Sequence, residues 1–507
     1  MPAKLYSAAL QGIYAKIVEV ECDLAPGLFS FNIVGLPDTA VKESKDRISA
    51  ALKNSGAASP TQRNKRITVN LAPADLKKEG PSYDLPIALS YLLASEQTKF
   101  DPKGKLFVGE LALDGNIRRV NGILSVVMEA RDRGLKSVFV PAENAGEAAM
   151  IKNIEIIGAD NLNQLLKHFE GKELIKPTKE HMRKIRKEIP DYDMTNIKGQ
   201  EQAKRAIEIA AAGNHNILMY GPPGSGKTLL ANALNSILPE LTDEESIEAT
   251  RIWSVAGLLS EDEPFLSRRP FRAPHHTSSG IALIGGGTWP KPGEISLAHR
   301  GVLFLDEFPE FNRDVLENLR QPLEEGKVKI ARIQESLTFP ARFLLVAAMN
   351  PCPCGYLNDT RKECVCAPHQ VTRYKRKLSG PLLDRIDLHI EVPRVEYEKL
   401  TSDAPTESSE IMRERIKIAR EIQLKRFADE KFLTNKEMTA RHIKKYCALD
   451  AAGEQTIKGA VISMGLSARG YHRLLKISRT IADLAGEKNI THQHIAEALA
   501  YRTKEEV

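Results

Sequence analysis

No stretch of the 507-residue chain approaches the run of about 18 consecutive apolar residues that marks a membrane-crossing helix. A helical membrane protein is therefore excluded, and no membrane partner is expected. The opening residues, MPAKLYSAALQGIYAKIVEVECD, also lack the continuous apolar core of a secretory signal, so the cytoplasm is the expected compartment. Cysteine is scarce. Six in a chain of this length do not suggest a disulfide framework. An excess of one charge is nearly absent too: the formal net charge is +6, which permits nucleic-acid binding without requiring it. What remains is ordinary for a soluble globular protein, with 42% apolar and 27% charged residues. The length suggests about three domains.

The chain is organised around His215 to Thr228, HNILMYGPPGSGKT. An apolar run, Ile217-Leu218-Met219-Tyr220, reads as a buried strand. It breaks at Gly221-Pro222-Pro223-Gly224 and passes through Ser225-Gly226-Lys227-Thr228 into a helical pattern. That is a phosphate loop in its required context of strand, Gly-rich turn and helix. Glycine lets the backbone wrap closely enough to aim amide N–H groups at phosphate oxygens, and the helix start adds partial positive charge. Lys227 would reach the β- and γ-phosphates of ATP, and Thr228 would ligate Mg2+.

Three later segments fit the same chemistry. Gly301-Val302-Leu303-Phe304-Leu305-Asp306-Glu307 is a buried strand delivering two carboxylates. Asp306 suits magnesium, and Glu307 suits proton removal from the attacking water. Phe343 to Asn350 is a third apolar strand, and Asn350 could orient that water or the γ-phosphate. Arg385, within Leu382 to Ile390, reads either as a residue reaching a neighbouring chain's γ-phosphate in a ring or as part of a local Asp384–Arg385–Asp387 cluster. Arg469, at the start of a helix, could point back to the nucleotide from a helical lid, with Arg473 as the competing residue.

Two insertions are expected between these strands. Phe271 to Ala298 is Gly- and Pro-rich and carries His275-His276; adjacent histidines do not share a helix face, which argues against a metal there. Lys327 to Phe343 alternates like a hairpin. Cys352-Pro353-Cys354 and Cys364-Val365-Cys366, nine residues apart, can bring four thiolates round one tetrahedral Zn2+; four unpaired thiols are the alternative.

The expected division is 1–170, mixed strands and helices; 171–195, a basic linker; 196–397, the ATPase core; and 398–507, a helical lid. Within 1–170, Gly80-Pro81-Ser82, Phe107-Val108-Gly109-Glu110-Leu111 and Val140-Pro141-Ala142-Glu143-Asn144 resemble the proteolytic domain of Lon-type proteases. Ser82 matches that family's serine. The paired lysine falls at about Val126, and a serine without a base is a weak nucleophile.

Taken together, the motifs resemble the ComM/YifB family of magnesium-chelatase-like AAA+ proteins across nearly the whole chain. The most specific segments are Phe271 to Thr277, Pro292 to His299, Asn350 to Gly355 and Ser379 to Asp387. The resemblance implies an α/β fold: an AAA+ P-loop NTPase core with a helical lid, preceded by an α+β Lon-protease-like domain. It implies a homo-hexameric, ATP-driven DNA helicase that promotes branch migration in natural transformation, with single-stranded or branched DNA and recombination proteins as partners. By the same resemblance Asn350 is sensor 1, Arg385 the trans-acting finger and Arg469 sensor 2. A chelatase-type motor remodelling a protein and an ATP-dependent protease remain the other classes; Val126 argues against the protease.

Overall fold

The computed structural model describes residues 2–62, 64–179, 192–287, 290–331, 336–359, 361–400, 406–430 and 432–502. Much of the basic run expected as a linker, and Ile333 of the expected hairpin, lie outside the described residues.

Two compact units form, and neither is continuous in sequence. The first holds residues 1–185, 243–267 and 329–339; the second holds 186–242, 268–328 and 340–507.

The first unit is built on a seven-stranded sheet. Its strands are β1 (Ala3–Gln11), β2 (Tyr14–Pro26), β3 (Ser30–Val34), β4 (Lys65–Ala72), β5 (Lys105–Phe107), β6 (Ser137–Pro141) and β7 (Glu155–Ala159), in the order β3-β4-β2-β1-β5-β6-β7. β1 and β2 form a hairpin, Ala3 opposite Cys22 and Gln11 opposite Tyr14. Gly12, at φ +63°, makes the turn. Helices α1 (Thr39–Asn54), α2 (Asp84–Ala94) and α3 (Ile123–Asp132) pack within the same unit. α2 is buried from Asp84 to Leu92, and Pro86 sits in its first turn, where a missing N–H costs nothing. Burial of Asp84 is compensated by Arg47 Nε at 2.7 Å, since a buried carboxylate needs such partners.

The second unit centres on a five-stranded sheet that is parallel throughout. Its helices and strands begin with α4 (Glu201–Gly213), β8 (Ile217–Tyr220) and α5 (Lys227–Ile237). β9 (Phe271–Arg272), β10 (Val302–Leu305), β11 (Leu344–Met349) and β12 (Leu388–Glu391) complete the sheet, in the order β9-β10-β11-β8-β12. Every residue of β10 and β11 is buried, as a central parallel strand covered on both faces requires. Helices α6 (Ser409–Arg426), α7 (Ala451–Met464), α8 (Ala468–Leu484) and α9 (His492–Ala500) follow. They share one apolar core with α4, α5 and the sheet, through Met412, Ile416, Leu474, Ile481 and Ile495. Parallel strands put all the loops that follow them at one sheet edge, where ligands bind in such folds.

Candidate nucleotide site

At that edge β8 leads into the phosphate loop. A Cβ on Gly221 would lie 2.1 Å from the Val392 carbonyl oxygen, so only glycine lets the chain pass. Gly224 and Gly226 are needed for conformation instead, at φ +75° and +92°. Lys227 opens α5. Its ammonium donates to the carbonyls of Gly221 (2.7 Å) and Pro222 (2.9 Å) and to Asn350 Oδ1 (3.3 Å). Burial brings its pKa down to about 8, which leaves most of it charged at neutral pH. The lysine at the start of α5 and Asn350, just after β11, therefore meet at one point.

Thr228 Oγ1 donates to Asp306 Oδ2 at 2.8 Å. This pair presents the hydroxyl and carboxylate oxygens that suit Mg2+, a hard cation taking oxygen ligands. Asp306 Oδ1 accepts from the Glu307 amide at 2.9 Å. Glu307 is left-handed, φ +50°, a conformation that side-chain-bearing residues adopt at a cost and that clusters at functional sites. Its Oε2 lies 3.1 Å from His276 Nδ1. The His275 ring lies beside that of His276, tilted by 34°, with centroids 4.1 Å apart. Of the two histidines, His276 thus meets the carboxylate, while His275 Nδ1 pairs with Thr277 Oγ1 at 2.8 Å. Among the described residues the four clustered cysteines alone form a group suited to a metal.

Arg385 and Arg469 lie elsewhere in the unit. Arg385 precedes β12, at the end of the sheet where strands begin, opposite the phosphate loop. Its guanidinium pairs with Glu324 and donates to the Pro381 carbonyl. Arg469 Nη1 lies 3.9 Å from the same Glu324 carboxylate. Arg473 takes Asp384 at 3.5 Å and the Ile386 carbonyl at 3.1 Å. The three arginines line one cavity of about 560 Å³ that also takes in Asn216 and Phe343, the residues just before β8 and β11. Arg469, expected to point back to the nucleotide from a helical lid, stands beside Arg385 at Glu324 at the start of α8.

Three family models cover most of the chain. Magnesium chelatase, subunit ChlI, matches residues 193–400; subunit ChlI of Mg-chelatase matches 20–144; and its C-terminal model matches 406–502. Competence protein ComM of Haemophilus influenzae is 45% identical over 507 residues, 99% of this chain and 97% of that one. The chain belongs to the ComM/YifB family of magnesium-chelatase-like AAA+ proteins. YifB of Escherichia coli is 43% identical, covering 98% of this chain and 96% of its own. The magnesium-chelatase 38 kDa subunit of Chlorobaculum parvum is 23% identical over 338 residues, 60% of this chain and 88% of that one.

The chain is thus an ATPase of the ComM type, and its AAA+ family implies ATP and Mg2+ as cofactors. Among its described residues, the first unit of this ComM/YifB chain carries no second phosphate-loop pattern. Ser82 is partly buried, and its carbonyl accepts from the Gly109 amide at 3.0 Å. Val126 is buried in an apolar cluster with Leu124 and Val127, so the position where a Lon-type lysine is expected supplies no base. Instead α3 packs against the helix Asp243–Ala256. Arg251 Nε donates to Ser125 Oγ at 2.9 Å, and Ser254 Oγ donates to the buried Glu147. The docking of residues 243–267 and 329–339 into the first unit had no signal in the sequence.

Proposed function

We propose that the protein is a ring-forming ATPase, a homo-hexamer, that moves DNA strands at recombination intermediates. The observation that carries the assembly is the separation of the charged groups. Lys227, Thr228, Asp306, Glu307 and Asn350 stand at one end of the parallel sheet, and Arg385 and Arg469 stand at the other. One chain therefore holds two half-sites, and a head-to-tail ring completes each with the arginines of a neighbour. Both arginines act in trans on this reading.

The residues divide the work as follows. Loop amides and Lys227 hold the phosphates. Thr228 and Asp306 hold Mg2+, which neutralises charge on the phosphate oxygens when bound. Glu307 takes the proton of the attacking water, and Asn350 orients that water. His276 is a positioning residue that fixes the half-exposed Glu307 carboxylate. His276→Ala is expected to lower kcat roughly tenfold, the scale of a misplaced catalytic group, with KM for ATP unchanged. His276→Asn keeps a donor and should recover much of the rate. Steady-state ATPase kinetics check both. An equal rise in KM would make His276 a binding residue instead.

DNA as the substrate is supported by the basic excess of the chain, by Lys327 and Lys329 on the strand Lys327–Ala331 of the hairpin, and by the competence role in the name of the Haemophilus relative. Kinship with a magnesium-chelatase subunit favours a second reading, remodelling of a protein partner. Forked and Holliday-junction DNA should stimulate hydrolysis. Binding should weaken with salt at a slope of about −0.9 per phosphate contact on duplex DNA, and Lys327→Ala with Lys329→Ala should flatten that slope. Indifference to every DNA structure, with stimulation by a protein, supports the second reading.

A further inference from the structure

Beside the phosphate loop the four clustered cysteines form a compact knuckle. Cys352 Sγ lies 3.4 Å from Cys354 Sγ and 3.6 Å from Cys364 Sγ, and Cys354 and Cys364 are 3.6 Å apart. All four sulfurs fall within 4.8 Å of one another. A tetrahedral ion with Zn–S bonds of about 2.3 Å sets its sulfurs about 3.8 Å apart. The cluster is close to that size without rearrangement. The Cys354 amide donates to Cys366 Sγ at 3.4 Å, which supports a thiolate at that position. Four soft thiolates select zinc, or iron as the competing metal, over hard cations.

The knuckle also touches the nucleotide loop. Cys352 is two residues beyond Asn350 and fully buried. Gly355, at φ +85°, runs so close to the loop that a Cβ there would lie 2.5 Å from Pro223 Cδ and 3.7 Å from Asn350 Cγ. On its outer side, Arg394 ties the knuckle to the segment after β12 through Asp359, at 3.1 Å, and its guanidinium lies 5.7 Å from the Tyr356 ring centroid.

We propose that Cys352, Cys354, Cys364 and Cys366 hold one zinc ion, and that the loaded knuckle braces Pro223 and Asn350, so that zinc occupancy sets the affinity for nucleotide. The coupling rests on the ATP-site reading above. Without metal no cross-link joins the thiolates of the two C-x-C arms, and the surface against Pro223 would then move with the loop between them.

The test uses the full-length protein purified without chelator. Elemental analysis should give about one zinc per chain, as a closed four-thiolate site holds. Titration with an organic mercurial should release that zinc as the four thiols react. A fluorescent ATP analogue, with Mg2+ in excess, should then bind at least tenfold more weakly, and thiol reductant with zinc should restore it. Circular dichroism of the stripped protein shows whether the fold is kept. Gly355→Ala provides the second arm: it keeps all four thiols, so zinc content should stay at about one while nucleotide affinity falls. Iron in place of zinc, or no metal with four freely titrating thiols, overturns the metal assignment. Unchanged nucleotide affinity in both the zinc-stripped protein and the fully zinc-loaded Gly355→Ala overturns the coupling. Failure of the zinc-loaded wild type to bind the analogue instead strikes the nucleotide-site reading itself.

Discussion

Glu307→Gln chains are expected to bind ATP with near wild-type affinity and to hydrolyse it roughly 10²- to 10⁴-fold more slowly, the range that a general base supplies. The substitution keeps the shape of the side chain and an acceptor for His276, 3.1 Å away. It leaves the backbone amide that donates to Asp306 Oδ1, so the Thr228–Asp306 pair is undisturbed. Only the ability to take a proton is lost, and kcat should fall while KM does not rise. Equilibrium binding of a fluorescent analogue, measured beside single-turnover hydrolysis, separates the two effects. A weakened Kd would place Glu307 among the binding groups instead.

The second large effect concerns assembly. Arg385→Ala alone should form rings and lose about 10³-fold or more in hydrolysis, since a trans-acting arginine is worth that much to phosphoryl transfer. Lys227→Ala alone should fail to bind nucleotide, because the ammonium now held by Gly221, Pro222 and Asn350 is the positive charge inside the loop. Neither variant has a working site on its own. Mixed one to one, about a quarter of head-to-tail interfaces pair an intact Lys227 with an intact Arg385. Activity should reappear at about that fraction of wild type. Arg469→Ala should behave like Arg385→Ala in the same mixture, because both arginines share the cavity around Glu324. If Arg469→Ala is rescued by no partner, it acts within its own chain.

The phosphate loop, the strand ending in Asp306-Glu307 and the strand ending in Asn350 were legible because each is a local pattern: an apolar run followed by the residue type the chemistry needs. The helical character after residue 398 was legible from periodicity, and α7 (Ala451–Met464) is one of the helices that form there. What was hidden depends on distant segments. His276 meets Glu307 because β9 lies beside β10, a pairing of only two residues that no periodicity reveals. Arg469 reads as a lid residue from its helix alone, and the edge of the sheet it faces is set by how α8 packs on α4. β1, AKLYSAALQ, carries three alanines, which weaken any strand signal, yet it lies inside the sheet because β2 and β5 flank it.

The measurement that bears most directly on the account is a junction assay with purified full-length protein, ATP and Mg2+, in which a labelled Holliday junction or forked duplex reports strand movement. The account predicts movement by wild-type rings, with none from Glu307→Gln or from Arg385→Ala alone, and partial recovery when Arg385→Ala and Lys227→Ala chains are mixed. Rings that hydrolyse ATP at full rate, yet neither bind DNA nor move a junction across substrates and salt concentrations, would contradict the DNA assignment and leave only the ring ATPase.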